Sequence, residues 1–149
     1  AFIAQAETEL QRTSRHNRTL CLLMFDIDNF KRINDLHGHN TGDEAIKLFT
    51  ECIMNSKRAY DIFGRIGGEE FAMILPETDI ASAQALAERM RECVEQLSLP
   101  LVSGENVTFT VSIGLTEYGE EDEGIFALLY RADRKLYEAK HQGKNRVVA

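Results

Sequence analysis

Residues Leu20 to Phe25 form an unbroken apolar run, the pattern of a strand buried on both faces near the middle of a sheet. The residues around it alternate between helical and extended periods. Phe2 to about His16 spaces its apolar residues as a helix with one polar face. Phe30 to Leu36 predicts a short helix stopped near Gly38. Thr41, with Glu44 three positions on, has the form of a capping box and predicts a helix from there to about Lys57 that buries Ala45, Leu48, Phe49, Cys52 and Ile53. Tyr60 to Ile66 and Glu69 to Leu75 are two strand-like runs joined by Gly67-Gly68, a pair that suits a two-residue hairpin turn with positive φ at both positions. Pro76 ends the second run. Asp79 to Leu97 returns to helical spacing, Val107 to Thr116 is extended, Gly124 to His141 is helical with Gly143 behind it, and Arg146-Val147-Val148 predicts a closing edge strand. The order α, β, α, α, β, β, α, β, α, β predicts one α/β (α+β) domain over residues 1–149, with a mixed, largely antiparallel sheet covered by helices.

Composition narrows the possibilities. A chain of 149 residues with 44% apolar and 28% charged residues can bury a core without covalent staples. A net charge of -7 argues against duplex nucleic acid or an anionic membrane as partner, since both reward clustered Lys and Arg. No apolar run is long enough to span a bilayer. Cys21, Cys52 and Cys93 are far apart and set among apolar neighbours, which predicts buried, reduced thiols and a cytoplasmic location.

The chemistry is concentrated where acids interrupt apolar runs. Asp26 and Asp28 end the first strand, and alternation points both to the same side if the strand continues that far. Glu69 and Glu70 sit at the Gly-Gly turn. Charge at such places is costly unless a cation offsets it. Asp26, Glu69 and the main-chain carbonyl of Ile27 are an oxygen set suited to a hard divalent cation, provided the two strands are neighbours. Glu70, on the other side of its strand, is given a supporting or second-metal role. Asn34 and Asp43 offer acceptors matching the two donors on one edge of guanine. Lys31 comes after the acidic strand end at a helix start that favours anions, and Lys140 and Lys144 lie one turn apart near the C-terminus. Each feature has a plainer alternative. The carboxylates can cap turns or pair with Arg65 or Lys31, Asn34 and Asp43 can cap helices, and the lysines can be ordinary helix C-terminal cations.

Two motifs decide between these alternatives. Asp26 to Asp43 matches the pattern Asp-x-Asp-x-Phe-Lys-x-x-Asn-Asp-x-x-Gly-His-x-x-Gly-Asp at every specified position, and Arg65-Ile66-Gly67-Gly68-Glu69-Glu70-Phe71 lies further along the chain. Together they resemble the GGDEF family of diguanylate cyclases, here in the Gly-Gly-Glu-Glu-Phe form. The resemblance extends through Thr110 to Gly114 and from Ala132-Asp133 to Gly143. It implies a palm-like, five-stranded sheet similar to that of class III nucleotide cyclases. It also implies a homodimer that joins two GTP into cyclic di-GMP with release of two pyrophosphates, using Mg²⁺ or Mn²⁺, two per active site. Carried onto this chain, Asp26, Ile27 and Glu69 hold metal, and Glu69 and Glu70 are catalytic. Phe30, Lys31, Asn34, His39, Asp43, Lys140 and Lys144 bind substrate. The second lysine position is commonly Arg in the family, so a bidentate fork is lost at Lys144. Arg58 and Asp61 resemble the family's Arg-x-x-Asp product site, with Arg89 as a secondary contact, although a solvated ion pair is the ordinary explanation of such a string. Family members usually begin with an Asp-x-Leu-Thr-Gly-Leu-x-Asn-Arg segment that is not in this chain. Ala1-Phe2 reads like the residues immediately after such a segment, so part of the pocket wall and a regulatory domain are expected in a longer parent protein, where a membrane anchor is open. Two further readings stay open: a non-catalytic receptor for GTP or cyclic di-GMP, and a dimerisation module whose acids are caps.

Overall fold

A computed structural model describes all residues, 1–149. In chain order its elements are α1 (Phe2–Arg15), β1 (Leu20–Ile27), α2 (Phe30–His37), α3 (His39–Ser56), β2 (Ile62–Arg65), β3 (Glu70–Pro76), α4 (Ile80–Glu95), β4 (Leu99–Pro100), β5 (Asn106–Val107), β6 (Val111–Glu117), α5 (Ile125–His141) and β7 (Val147–Val148). The main sheet has five strands in the order β2-β3-β1-β6-β7, and β4 and β5 form a separate pair. All neighbours in the main sheet are antiparallel except β6 and β7. The expected architecture is therefore present, with the apolar run at the centre of the sheet. No helix is long and apolar enough to cross a membrane.

Residue parity along β1 divides the interior. Cys21, Leu23, Phe25 and Ile27 face one layer, with Phe49, Met90 and Phe71, under α3 and α4. Leu20, Leu22 and Met24 face the other, with Ala6, Leu128 and Leu136, under α1 and α5. Rings of Phe25, Phe49, Phe63 and Phe71 fill the first layer, with centroid separations from 4.9 to 6.4 Å, in tilted, edge and stacked arrangements that add to plain burial. The same parity runs through β3, where Ala72 and Ile74 face α5. Asp26 and Glu70 continue these two even-numbered faces and stand opposite each other in the register.

Several local expectations are corrected. The helix α3 starts at His39, directly behind Gly38, so Thr41 lies inside its first turn and its hydroxyl donates to the His37 carbonyl instead of capping. Gly67 and Gly68 do not occupy the left-handed region. The turn closes over a longer span, with the Ile66 and Gly67 amides both donating to the Glu70 carbonyl, and Arg65 donates to the carbonyls of Gly67 and Gly68. The stretch leading into β6 holds the β4–β5 pair, which was not expected. Cys52 on α3 and Cys93 on α4 stand sulfur against sulfur with Cα atoms 6.7 Å apart, within reach of a disulfide. They are not the isolated thiols that their separation in sequence implied. Cys21 alone is free, and burial first, then Glu117 and Asp79, push its thiol up to about 12.

Gly114 sets how closely α5 lies on the sheet. A Cβ there would meet the Ala132 carbonyl oxygen and the Leu136 nitrogen, both backbone atoms of α5. Such atoms cannot rotate aside, so Gly114→Ala must push the helix away. The expected cost is about 1–3 kcal/mol, seen in urea unfolding as a lower midpoint with an unchanged slope. A midpoint equal to wild type would show that α5 has slack over β6.

Candidate active site

The site forms at the end of β1, where the even face leaves the apolar layer. Ile27 N–H donates to the Glu69 carbonyl at 3.2 Å, so the two acidic motifs are joined by a backbone hydrogen bond across adjacent strands. Asp26 faces Glu70 across the register, and α5 brings Lys140 over both Asp26 at the end of β1 and Asp28 just beyond it. Its ammonium lies 2.8 Å from Asp28 Oδ1, 3.4 Å from the Ile27 carbonyl oxygen and 3.5 Å from Asp26 Oδ1. Asp26 and Asp28 thus point the same way, as alternation required.

The two aspartates differ in every other respect. Asp28 is 2% exposed and fully engaged. It accepts from the Thr110 hydroxyl at 2.7 Å, the Ser112 hydroxyl at 2.7 Å, Lys140 and the Asn145 main-chain N–H at 3.0 Å. Burial alone would raise its pKa, but the bonds from Lys140, Ser112 and Thr110 outweigh burial and hold it below the usual range. Asp26 has no such saturation. Its Oδ1 is buried without a hydrogen bond. Burial pushes its carboxyl up to about 6; Lys140 opposes this, and Glu69 and Glu70 reinforce it. Glu70 is also raised, by burial first and then by Asp133 and Glu69.

These oxygens fit a hard cation. The orphaned Asp26 oxygen, the Ile27 carbonyl and the Glu69 side chain at the neighbouring turn offer oxygen donors only. No three acidic, histidine or cysteine side chains converge on one point, so the carbonyl is needed to complete the set. The turn itself has room. A Cβ at Gly68 would meet nothing, and one at Gly67 only Glu70 Cβ at 3.9 Å. Neither a left-handed backbone nor the chain's own packing occupies these glycines, so the turn leaves room for close approach from outside.

The other expected site residues are distributed unevenly. Asn34 on α2 lies against Gly42 on α3, where a Cβ would strike its Oδ1, and that oxygen is buried without a partner. Phe30 packs into the same corner, against the first core layer. Asp43 and His39 are exposed in the first turn and a half of α3. Lys31 does not reach the acids; it is 89% exposed and donates to Asp35 at 3.0 Å. Lys144, in left-handed conformation, donates to Asn29 Oδ1 at 2.8 Å beside the start of α2. Arg58 and Asp61 form a closed unit away from these acids. The guanidinium reaches both Asp61 oxygens and the Thr78 hydroxyl, and Asp61 is 3% exposed. The pair is buried on the acidic side, not solvated as an ordinary surface pair would be. Arg89 is exposed on α4 and takes part in no hydrogen bond or ion pair with it.

Sequence reasoning missed the role of Asp28 and of its partners Thr110, Ser112 and Asn145. The available signal was parity, since Asp28 continues the same face as Asp26.

The family model described as "Diguanylate cyclase, GGDEF domain" matches residues 1–146. The chain belongs to the GGDEF family. It is 39% identical over 138 residues to Diguanylate cyclase A of Treponema denticola, covering 93% of this chain and 37% of that protein. It is 44% identical over 128 residues to Diguanylate cyclase DgcM of Escherichia coli, covering 86% of this chain and 30% of that protein. The chain therefore spans about a third of the length of these relatives. Among solved structures it resembles the GGDEF domain of DgcB from Caulobacter crescentus, determined in complex with c-di-GMP. That match has a TM-score of 0.95 and 34% identity and covers 100% of this chain and 88% of that one. The active GGEEF domain of a diguanylate cyclase from Vibrio cholerae matches with a TM-score of 0.91 and 31% identity, over 99% of this chain and 92% of that one. The fold is thus the palm-like GGDEF domain.

The raised Asp26 carboxyl gives a pH-dependent test. In the folded chain it holds its proton up to about 6, whereas an ordinary Asp releases it near 3.8. The charged side chain therefore costs stability, increasingly as pH rises through that window and fully above it. Asp26→Asn is expected to stabilise the metal-free GGDEF domain by about 1–3 kcal/mol above the window. The gain should shrink as pH falls through about 6 and vanish near 4. Thermal melts of both proteins across that range measure it, and a gain independent of pH would refute the assignment.

Proposed function

We propose that this domain is a diguanylate cyclase, a nucleotidyltransferase that condenses two GTP into cyclic di-GMP with release of two pyrophosphates. The observation that carries the reading is the Ile27–Glu69 backbone hydrogen bond, which sets the Asp-x-Asp strand end and the Gly-Gly-Glu-Glu turn side by side. The named cyclase relatives support the same conclusion.

In this reading Asp26, the Ile27 carbonyl and Glu69 would hold Mg²⁺ or Mn²⁺, two ions per active site, with Glu70 supporting the second. The ions would offset charge on the α-phosphate and on departing pyrophosphate. The chain's own groups would do the positioning. Asn34, through its unpartnered oxygen, and Asp43 would accept from the guanine edge. Adenine presents an acceptor at N1 and has no 2-amino group, so it would leave these acceptors unpaired. Lys140 and Lys144 would take triphosphate oxygens, Lys31 would swing from its exposed pair with Asp35, and Phe30 and His39 would wall the substrate. The 3′-hydroxyl of one GTP would attack the α-phosphorus of the other. The new O–P bond would form as the bond to pyrophosphate breaks, with the hydroxyl proton passing toward Glu69. Two such attacks close the ring, and a homodimer facing itself across a two-fold axis supplies both. Cyclic di-GMP would inhibit by binding at Arg58 and Asp61, with Arg89, and the Arg58 guanidinium would exchange its Asp61 bonds for phosphate.

Supplied with GTP and Mn²⁺, the domain should release pyrophosphate. Glu69→Gln should cut that release by about a hundredfold or more while circular dichroism and melting stay near wild type. Nucleotide binding without pyrophosphate in the wild-type chain would instead identify a receptor.

Activity per chain should climb with protein concentration and level off once dimers saturate. A flat profile down to nanomolar chain would rule out catalysis by the pair.

A further inference from the structure

We infer that Lys140 is the resident counter-cation of the metal-free site, seated on the same oxygens that a divalent ion would take. The inference rests on the proposed metal assignment of Asp26, Ile27 and Glu69. Three contacts define the seat, and they are unequal. The bond to Asp28 is short, at 2.8 Å, while the Ile27 carbonyl and Asp26 Oδ1 are at 3.4 and 3.5 Å. The last two belong to the proposed metal set. Asp26 Oδ1 gains charge compensation from the ammonium but no hydrogen bond, so its acceptor capacity is unspent.

The asymmetry explains how one lysine can serve two states. Asp28 is saturated by Thr110, Ser112, Asn145 and Lys140, from the approach to β6, β6 itself, the last loop and α5. It keeps the ammonium tethered whatever happens at the outer contacts. A divalent ion arriving on the carbonyl and Asp26 displaces only the two longer contacts. The released face of the ammonium is then free to meet triphosphate oxygens. In the metal-free state the ammonium offsets Asp26, Asp28 and Glu70, which would otherwise repel one another without a cation among them. Asp28 is accordingly a positioning residue that acts through Lys140. Lys144 provides the contrast, because it carries the same charge nearby but bonds to the Asn29 amide oxygen and to none of the metal oxygens.

Competition is tested without nucleotide. Mn²⁺ is titrated into the chain and the free ion is followed by electron paramagnetic resonance. Lys140→Met is expected to bind Mn²⁺ on the order of tenfold more tightly than wild type, and Lys144→Met to change affinity much less. Equal gains in both variants would reduce the effect to a general field, and no gain in Lys140→Met would leave no competition; either result overturns the inference. A second measurement does not depend on that variant folding. In wild type carrying ¹³Cε-lysine, the Lys140 signal, assigned through Lys140→Arg, should move with added Mg²⁺ and saturate together with the Gly68 amide. A Lys140 signal that stays fixed while Gly68 saturates, or the absence of saturable Mg²⁺ binding in both wild type and Lys140→Met, also overturns it. Pyrophosphate release from GTP is measured in parallel on the wild type. Its failure would remove the cyclase reading and leave the Mn²⁺ comparison to stand or fall on its own values.

Discussion

The buried carboxylate of Asp28 is the constraint on which the rest of the site depends. A charge at 2% exposure survives only with near-complete compensation. Here the compensation comes from four separate places: two hydroxyls at and just before β6, one ammonium from α5 and one main-chain amide from the loop before β7. Satisfying this single carboxylate therefore fixes the relative positions of β1, β6, α5 and the C-terminal loop. Consecutive left-handed residues Lys144 and Asn145 turn the chain so that one reaches Asn29 and the other donates to Asp28. Gly114 contributes from beneath, because α5 can carry Lys140 over the strand end only if its backbone lies directly on β6.

The acids that would do chemistry are held in the opposite condition. Asp26 and Glu70 face each other, both raised by burial and by neighbouring acids, and Asp26 keeps an unpartnered oxygen. A domain selected for stability alone would place apolar residues there, since each even position further back along β1 and β3 is apolar and packs well. The strain is local and is borne by a scaffold whose two apolar layers lie on either side of the same strands. Stability is set aside at the point where a ligand would restore it.

Much of this was legible in the sequence. The run from Leu20 to Phe25 indicated a central strand, and alternation then placed Asp26 and Asp28 on one side. The Gly-Gly-Glu-Glu segment indicated a turn, and the register joins it to the end of β1. The features that were not legible depended on packing between distant segments. No local signal announces that Cys52 and Cys93 meet, because that is decided by how α3 crosses α4. The capping box at Thr41 was a sound local pattern overridden by its surroundings. Starting α3 at His39 puts Gly42 against Asn34, a contact between two helices that no single-segment rule contains. The β4–β5 pair is too short for periodicity to register. The Gly67-Gly68 turn differs for another reason: it closes over a longer span through the Ile66 and Gly67 amides on the Glu70 carbonyl, with neither glycine at positive φ, and a two-residue turn rule does not contain that span.

Hydrogen-bond satisfaction separates the two candidate nucleotide regions. At the end of β1 and at Asn34, the Asp26 and Asn34 side chains each keep a buried oxygen without a hydrogen bond, and the Gly67-Gly68 backbone is open to approach. At Arg58 and Asp61 the fork is already filled: the carboxylate takes two guanidinium nitrogens and the Arg58 amide, while Thr78 takes a further guanidinium contact and its carbonyl accepts from Cys21. A ligand entering there has to replace bonds that exist, so its binding energy is reduced by their loss. A ligand entering at the strand end meets an Asp26 oxygen that has charge compensation from Lys140 but no hydrogen bond, so its binding energy is increased by the penalty it relieves. On physical grounds, the first region favours an incoming cation or hydrogen-bond donor. The second can respond only to a ligand abundant enough, or with enough phosphate contacts, to outcompete the chain's own carboxylate.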